Sequence, residues 1–233
     1  MVDLLRMQEK FELDCLKSPT VCTYMAFRGI TPEMRFRWGI GYCKSWYEDD
    51  FKSLYKRLTF PIYDWRGRLV SFSGRTLKSG YTGAKYIGLS DSALFKKSQS
   101  VYGINYAMPF IAKSRVALVV EGYTDVIGLH DLSGVRNAVG SMGIAVTEKQ
   151  VTLLARWAKL VIIVMDGDAA GMRATEKLQV KLADSPVEIA FVHLPTGKDP
   201  FDLAREQGTS FASWLKANVS GQMRFPISGR ATA

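Results

Sequence analysis

The 233-residue chain is 47% hydrophobic and 23% charged, enough apolar material for one large or two modest folded domains and too much for extensive disorder. No apolar run reaches the roughly 18 residues of a membrane span, and Met1 to Lys17 carries charges throughout where a signal peptide would be apolar, so a cytoplasmic protein with no membrane partner is expected. The net charge of +9 is unevenly placed: residues 1–115 hold 19 Lys/Arg against 10 Asp/Glu, residues 51–115 hold 12 against only Asp64 and Asp91, and residues 116–233 are balanced. A basic segment joined to a neutral one is the charge pattern of a polyanion binder.

In chain order, Val2 to Lys56 reads mostly helical, with Gly29 as a C-cap and Thr31-Pro32-Glu33 as an N-cap followed by Pro at the first helical position. Thr59 to Tyr63 and Arg68 to Phe72 are short β-like runs around the turn Asp64-Trp65-Arg66-Gly67, a hairpin. Residues 73–100, rich in Gly, Ser and Lys with interleaved aromatics, read as a loop region. From Val116 strands and helices alternate. Val116 to Val120 and Leu160 to Met165 are continuous apolar runs, the mark of strands buried on both faces. Asn137 to Gly140 and Val187 to Leu194 are further strands. Helices are expected at Asp125 to Leu132, after the capping box Thr147 to Gln150, at Ala169 to Leu182, near Phe201 to Glu206 and near Phe211 to Ala217, and the last dozen residues read as a tail. This alternation implies an α/β fold with a parallel sheet.

Two of the buried strands run directly into acids: Val116 to Val120 into Glu121-Gly122, and Leu160 to Met165 into Asp166-Gly167-Asp168. Ligand sites in open parallel sheets lie beyond the carboxyl ends of strands, and neighbouring strands are only about 5 Å apart. If these two are neighbours, three carboxylates converge, and their repulsion calls for a hard divalent cation such as Mg²⁺. Asp125, one helical turn past Glu121, would support it, and Asp199 and Asp202 follow the third strand in Thr196-Gly197-Lys198-Asp199-Pro200. Any one of these acids could instead cap a helix N-terminus, a reading that fits three separate strand ends poorly. Cys15, Cys22 and Cys43 form no Cys-x-x-Cys pair and lie far from His130 and His193, so three free thiols and two structural histidines are expected rather than a zinc site or a disulfide. There is neither a Gly-x-Gly-x-x-Gly loop nor a P-loop signature.

Glu121 followed by Asp166-Gly167-Asp168 resembles the Toprim pattern of primases, topoisomerases and some nucleases. The flanking residues Glu121-Gly122-Tyr123-Thr124-Asp125-Val126, Asn137 to Gly143 and Asp166 to Gly171 are similar to bacterial-type, DnaG-like primases. Upstream, Phe60-Pro61-Ile62, Arg66-Gly67-Arg68, Ser73-Gly74-Arg75, Lys85-Tyr86 and Phe95-Lys96-Lys97 resemble that family's basic motif in the same order, over roughly residues 20 to 205 in all. Gly88 departs from the family's usual Asn after Lys-Tyr, and Asp202 follows Asp199-Pro200 one residue later than usual.

The resemblance implies a basic N-terminal α/β subdomain (1–115), a Toprim catalytic subdomain with a Rossmann-like parallel sheet (116–207), and a short helix and tail (208–233) left from a helical subdomain. It implies template-directed synthesis of RNA primers from ribonucleoside triphosphates on single-stranded DNA. Glu121, Asp166 and Asp168 would be catalytic. These three with Asp125, Asp199 and Asp202 would hold Mg²⁺ or Mn²⁺. Arg75, Lys85 and Lys97, then Arg68 and Lys96, would contact phosphates, and Tyr86 would stack on a base. A replicative helicase would be met only through domains outside this stretch. A Toprim nuclease and a non-catalytic single-stranded DNA-binding module are the alternatives.

Overall fold

The computed structural model describes residues 3–78 and 80–222, the last three as backbone only. The described residues form two compact units that divide between Asn105 and Tyr106.

In the first unit, α1 (Leu4–Leu16), α2 (Pro19–Phe27) and α3 (Pro32–Arg37) precede an antiparallel sheet of β1 (Gly41–Tyr42), β2 (Arg57–Tyr63), β3 (Leu69–Thr76) and β4 (Tyr86–Gly88), paired in that order. Thr31 accepts from the Met34 amide and Pro32 opens α3, as the local chemistry requires. Met7, Phe11, Cys43, Phe51, Leu54 and Phe72 make a buried core in which the Phe11, Phe51 and Phe72 rings meet edge to face.

Two expectations are corrected in this unit. The stretch 73–100 is not all loop, because β3 runs on to Thr76 and β4 pairs with it, Arg75 facing Tyr86 in the register. Small and charged residues mask the strand in the sequence, while on the protein Ser73, Arg75 and Thr76 are buried. The mostly helical reading of residues 2–56 also missed β1, whose two residues are too few to show a period.

In the second unit, α4 (Ile104–Ser114), which begins at the boundary, leads into β5 (Val116–Val120), α5 (Tyr123–Leu132), β6 (Ala138–Gly140), α6 (Glu148–Leu154), β7 (Leu160–Met165), α7 (Ala169–Lys181), β8 (Glu188–His193), α8 (Pro200–Gln207) and α9 (Phe211–Gln222). The four strands are all parallel, in the order β6-β5-β7-β8. β5 and β7 are the inner strands, which is why their sequences are unbroken apolar runs. The Thr147/Gln150 capping box forms as its spacing demands. α4, which holds Pro109 inside it, adds to the expected elements. α9 extends past Ala217 to Gln222, and the expected tail beyond it lies outside the described residues.

Cys15 and Cys43 are buried, Cys22 is exposed, and all three are free. Burial pushes the Cys15 and Cys43 thiols up to about 12, so they behave as inert core groups. Among the described residues, no helix is long and apolar enough to cross a membrane.

Candidate metal centre and basic side chains

The pairing of β5 with β7 is the juxtaposition the sequence required: Val119 lies opposite Ile163, so Glu121 and Asp166 leave neighbouring strands at the same edge of the sheet. β8 continues that edge, with His193 opposite Met165, and delivers the loop that ends at Asp199. Three acid-bearing turns therefore share one side of the second unit.

Asp125 shows the electrostatic result. It is 9% exposed and accepts from the Gly122 amide at 3.0 Å. Burial first, then the charge of Asp199, with smaller contributions from Glu121 and Asp166, pushes its carboxyl up to about 7 against the pull of the Gly122 hydrogen bond. The buried Asp125 thus resists ionisation.

The same acids also cap helices. Asp168 accepts from the Gly171 amide at 2.7 Å as the N-cap of α7, and Asp199 accepts from the Asp202 amide at 2.7 Å as the N-cap of α8. Each uses one carboxylate oxygen for this and keeps the other. Asp202 turns to its own helix and pairs with Arg205 at 3.1 Å.

Among the described residues, no three of these acids stand close enough to hold an ion as they are. The donor set nevertheless suits a hard divalent cation. It consists of carboxylate oxygens, and it includes an acid raised first by burial and then by like-charged neighbours, a repulsion that such an ion removes.

In the first unit Arg75 is 4% exposed. Its guanidinium lies 5.7 Å from the Tyr24 ring centre and 5.6 Å from that of Tyr86, while Nε and Nη1 have no hydrogen-bond partner among the described residues. A buried guanidinium with unspent donors is costly unless an anion completes it.

Comparison with known proteins agrees with both halves. The family model described as "DNA primase catalytic core, N-terminal domain" matches residues 44–108, and the one described as "Toprim-like" matches residues 118–204. The DNA primase of Aquifex aeolicus is 32% identical over 95% of this chain and 49% of its own length. That of Halalkalibacterium halodurans is 37% identical over 71% of this chain and 27% of its own. The crystal structure of the Aquifex aeolicus primase zinc-binding and RNA polymerase domains superposes with a TM-score of 0.81 at 29% identity, covering 94% of this chain and 59% of that one. The RNA polymerase domain of Mycobacterium tuberculosis primase DnaG gives 0.79 at 27% identity, covering 93% and 81%. The chain belongs to the bacterial-type, DnaG-like primase family. It spans about half the length, or less, of the curated primases it matches.

Within this primase-family chain the expected basic residues have different local settings. Arg75 and Tyr86 are in contact, and the Tyr86 ring also packs on Phe60 at 6.1 Å. Arg68 is held in the hairpin turn by Asp64, through Nε at 2.8 Å and Nη2 at 2.7 Å. Lys85 and Lys96 are exposed and Lys97 is half-buried. Two residues in contact with this segment escaped the sequence reading. Arg57, 7% exposed, donates to the Ala84 and Lys85 carbonyls at 3.3 and 3.2 Å and lies over Tyr81. Tyr24 covers Arg75 from α2. A charged residue at the head of the apolar run of β2 was the available signal for Arg57. Nothing local marks Tyr24.

His130 is structural, as expected, and meets the Ala138 carbonyl at 2.9 Å. His193 sits 3.0 Å from the Thr175 hydroxyl.

Proposed function

We propose that this chain is a primase catalytic core that joins ribonucleotides into short RNA on a single-stranded DNA template. The observation that carries the reading is that β5, β7 and β8 end at one carboxyl edge of a parallel sheet and run there into the loops of Glu121, Asp166 and Asp199. It is supported by family membership and by the basic segment upstream.

Glu121, Asp166 and Asp168 would hold Mg²⁺ or Mn²⁺, with Asp125 and Asp199 completing the negative field and Asp202 more remote. Such ions, when bound, neutralise the triphosphate and stabilise the attacking and leaving oxygens of an in-line displacement. The rest of the work is positioning, since phosphoryl transfer needs no protein nucleophile. Glu121, exposed at its strand end, would accept the proton of the attacking 3′ hydroxyl. Arg75, Lys85, Lys96 and Lys97 would bind phosphates of template or nucleotide, with Arg68 contributing only on leaving Asp64, and Tyr86 would support a base.

Two consequences can be measured. If four phosphates are neutralised, affinity for single-stranded DNA should follow salt with a slope near −3, a loss of about 50-fold between 50 and 200 mM. Fluorescence anisotropy with a labelled oligonucleotide tests this, and flat binding would remove the phosphate reading.

Arg75→Met should separate function from stability. It replaces a buried charge that has no ion-pair partner among the described residues with a side chain of similar reach, so the melting temperature should hold or rise by a few degrees. Nucleotide incorporation should fall by about tenfold or more, the worth of one or two charge-assisted hydrogen bonds. A variant that melts much earlier, or incorporates normally, contradicts this role for Arg75.

A further inference from the structure

Two of the acid-bearing loops of the second unit, that of Asp166–Asp168 and that leading to Asp199, meet by backbone. Gly167, between Asp166 and Asp168, lies so close to the end of β8 that an added Cβ would overlap the Leu194 carbonyl oxygen. Gly171 is similarly closed by the Asp166 carbonyl. Leu194 donates to the Met165 carbonyl at 3.0 Å, which extends the ladder to the base of both loops.

One side chain then ties the loops together. The Thr196 hydroxyl donates to the Gly167 carbonyl at 3.0 Å, across 29 residues of sequence. We propose that Thr196 is a positioning residue: its hydroxyl fixes the aim of Asp168 relative to Asp199 and so the ability of this acid set to take up a divalent cation, an inference that rests on the metal-holding reading above.

The Gly167 carbonyl belongs to the planar peptide that enters Asp168, so holding that oxygen sets the direction in which the Asp168 Cα leaves. Gly167 has no side chain to pack, and the turn touches β8 at the Leu194 carbonyl. A second fixed point is needed to stop rotation about that contact, and Thr196 supplies it. On its own side Thr196 is tightly joined to Asp199, because the Lys198 amide closes a turn onto the Pro195 carbonyl at 3.1 Å and Asp199 starts α8 immediately after.

The far end of the Asp166–Asp168 turn is braced independently. His193 at the end of β8 meets Thr175, whose hydroxyl donates to the Gly171 carbonyl at 3.0 Å, and the Gly171 amide holds Asp168. Because the acids are not drawn together as they stand, small rotations of this turn decide whether their free oxygens can meet on one ion. The Thr196 bond is exposed and contributes little to global stability. Its effect is on aim.

The test compares the full chain with Thr196→Val, which keeps the shape and removes the hydroxyl, and Thr196→Ser, which restores it. Mn²⁺ binding, read from the free-ion electron paramagnetic resonance signal, should weaken by about tenfold in the Val variant and return to near the wild-type value in the Ser variant, the low end of what outer-shell partners of metal ligands contribute. Without metal, the melting temperature should be the same for all three proteins within about 2 °C. Also without metal, hydrogen exchange of peptides covering 165–172 should speed up in the Val variant alone.

Equal Mn²⁺ affinity and equal exchange in wild type and Val variant would overturn the role of Thr196. Wild type that binds no Mn²⁺ would overturn the metal reading and the proposal's functional half with it, and the exchange comparison would still decide the mechanical tie.

Discussion

Asp166→Ala is expected to lower ribonucleotide incorporation by about 10³-fold while leaving the protein folded. Removing one carboxylate from the set that would bind the reacting phosphates forfeits several kcal/mol of transition-state stabilisation, and each 1.36 kcal/mol is a factor of ten. The fold should tolerate the change because Asp166 is exposed beyond the end of β7 and its loss relieves repulsion on the buried Asp125. Single-stranded DNA binding, which the reading assigns to the basic first unit, should be unchanged. The measurement is a labelled-ribonucleotide assay beside a melting curve and a DNA titration. Incorporation within about fivefold of wild type would mean that Asp166 does not hold the reacting groups.

The second large effect is on stability and concerns Asp125. Its carboxyl is raised from the ordinary 3.8 to about 7 in the folded protein, by burial and then by Asp199, Glu121 and Asp166. Between those two values the folded state holds a proton that the unfolded state has lost. Stability therefore falls as pH rises through this window, by up to about 1.4 kcal/mol per unit, and levels off above the folded value. For a chain of this size that is about 3 °C per pH unit. Metal-free protein should melt earlier at pH 8 than at pH 5. Asp125→Asn, which keeps an acceptor for the Gly122 amide, should flatten the slope. Added Mg²⁺ or Mn²⁺ should protect most at pH 8, where its charge offsets the repulsion. Melting curves across pH with and without metal test all three. A rise in stability from pH 5 to pH 8 that survives in Asp125→Asn would show that other groups govern the window.

Much of this arrangement was legible in the sequence, and the reason differs by residue. β5 and β7 announced themselves because inner strands of a parallel sheet need apolar residues on both faces. The acids after them were conspicuous for the opposite reason, as charges at the end of buried runs. Their adjacency was only conditional until the register of β5 on β7 showed it. The capping reading and the metal reading proved compatible, since Asp168 and Asp199 each commit one oxygen to a helix amide.

The basic segment was less transparent. Charge density located it, but Arg68 is held by Asp64 in its turn and Arg75 is buried between two rings, a difference that composition does not encode. β4 and the end of β3 were hidden because Gly, Ser and Lys look like loop wherever the partner strand, rather than the residue, supplies the stabilisation. Tyr24 and Thr196 act across long sequence separations and leave no local pattern at all.

The most direct test of the central claim is product analysis with wild-type protein, single-stranded DNA, labelled ribonucleoside triphosphates and Mg²⁺ or Mn²⁺, with Asp166→Ala alongside. Short RNA chains complementary to the template, dependent on metal and missing in the variant, are expected. Degradation of the DNA instead would identify a nuclease built on the same acids, and intact DNA bound without any RNA product would contradict an active primase core and leave a binding module.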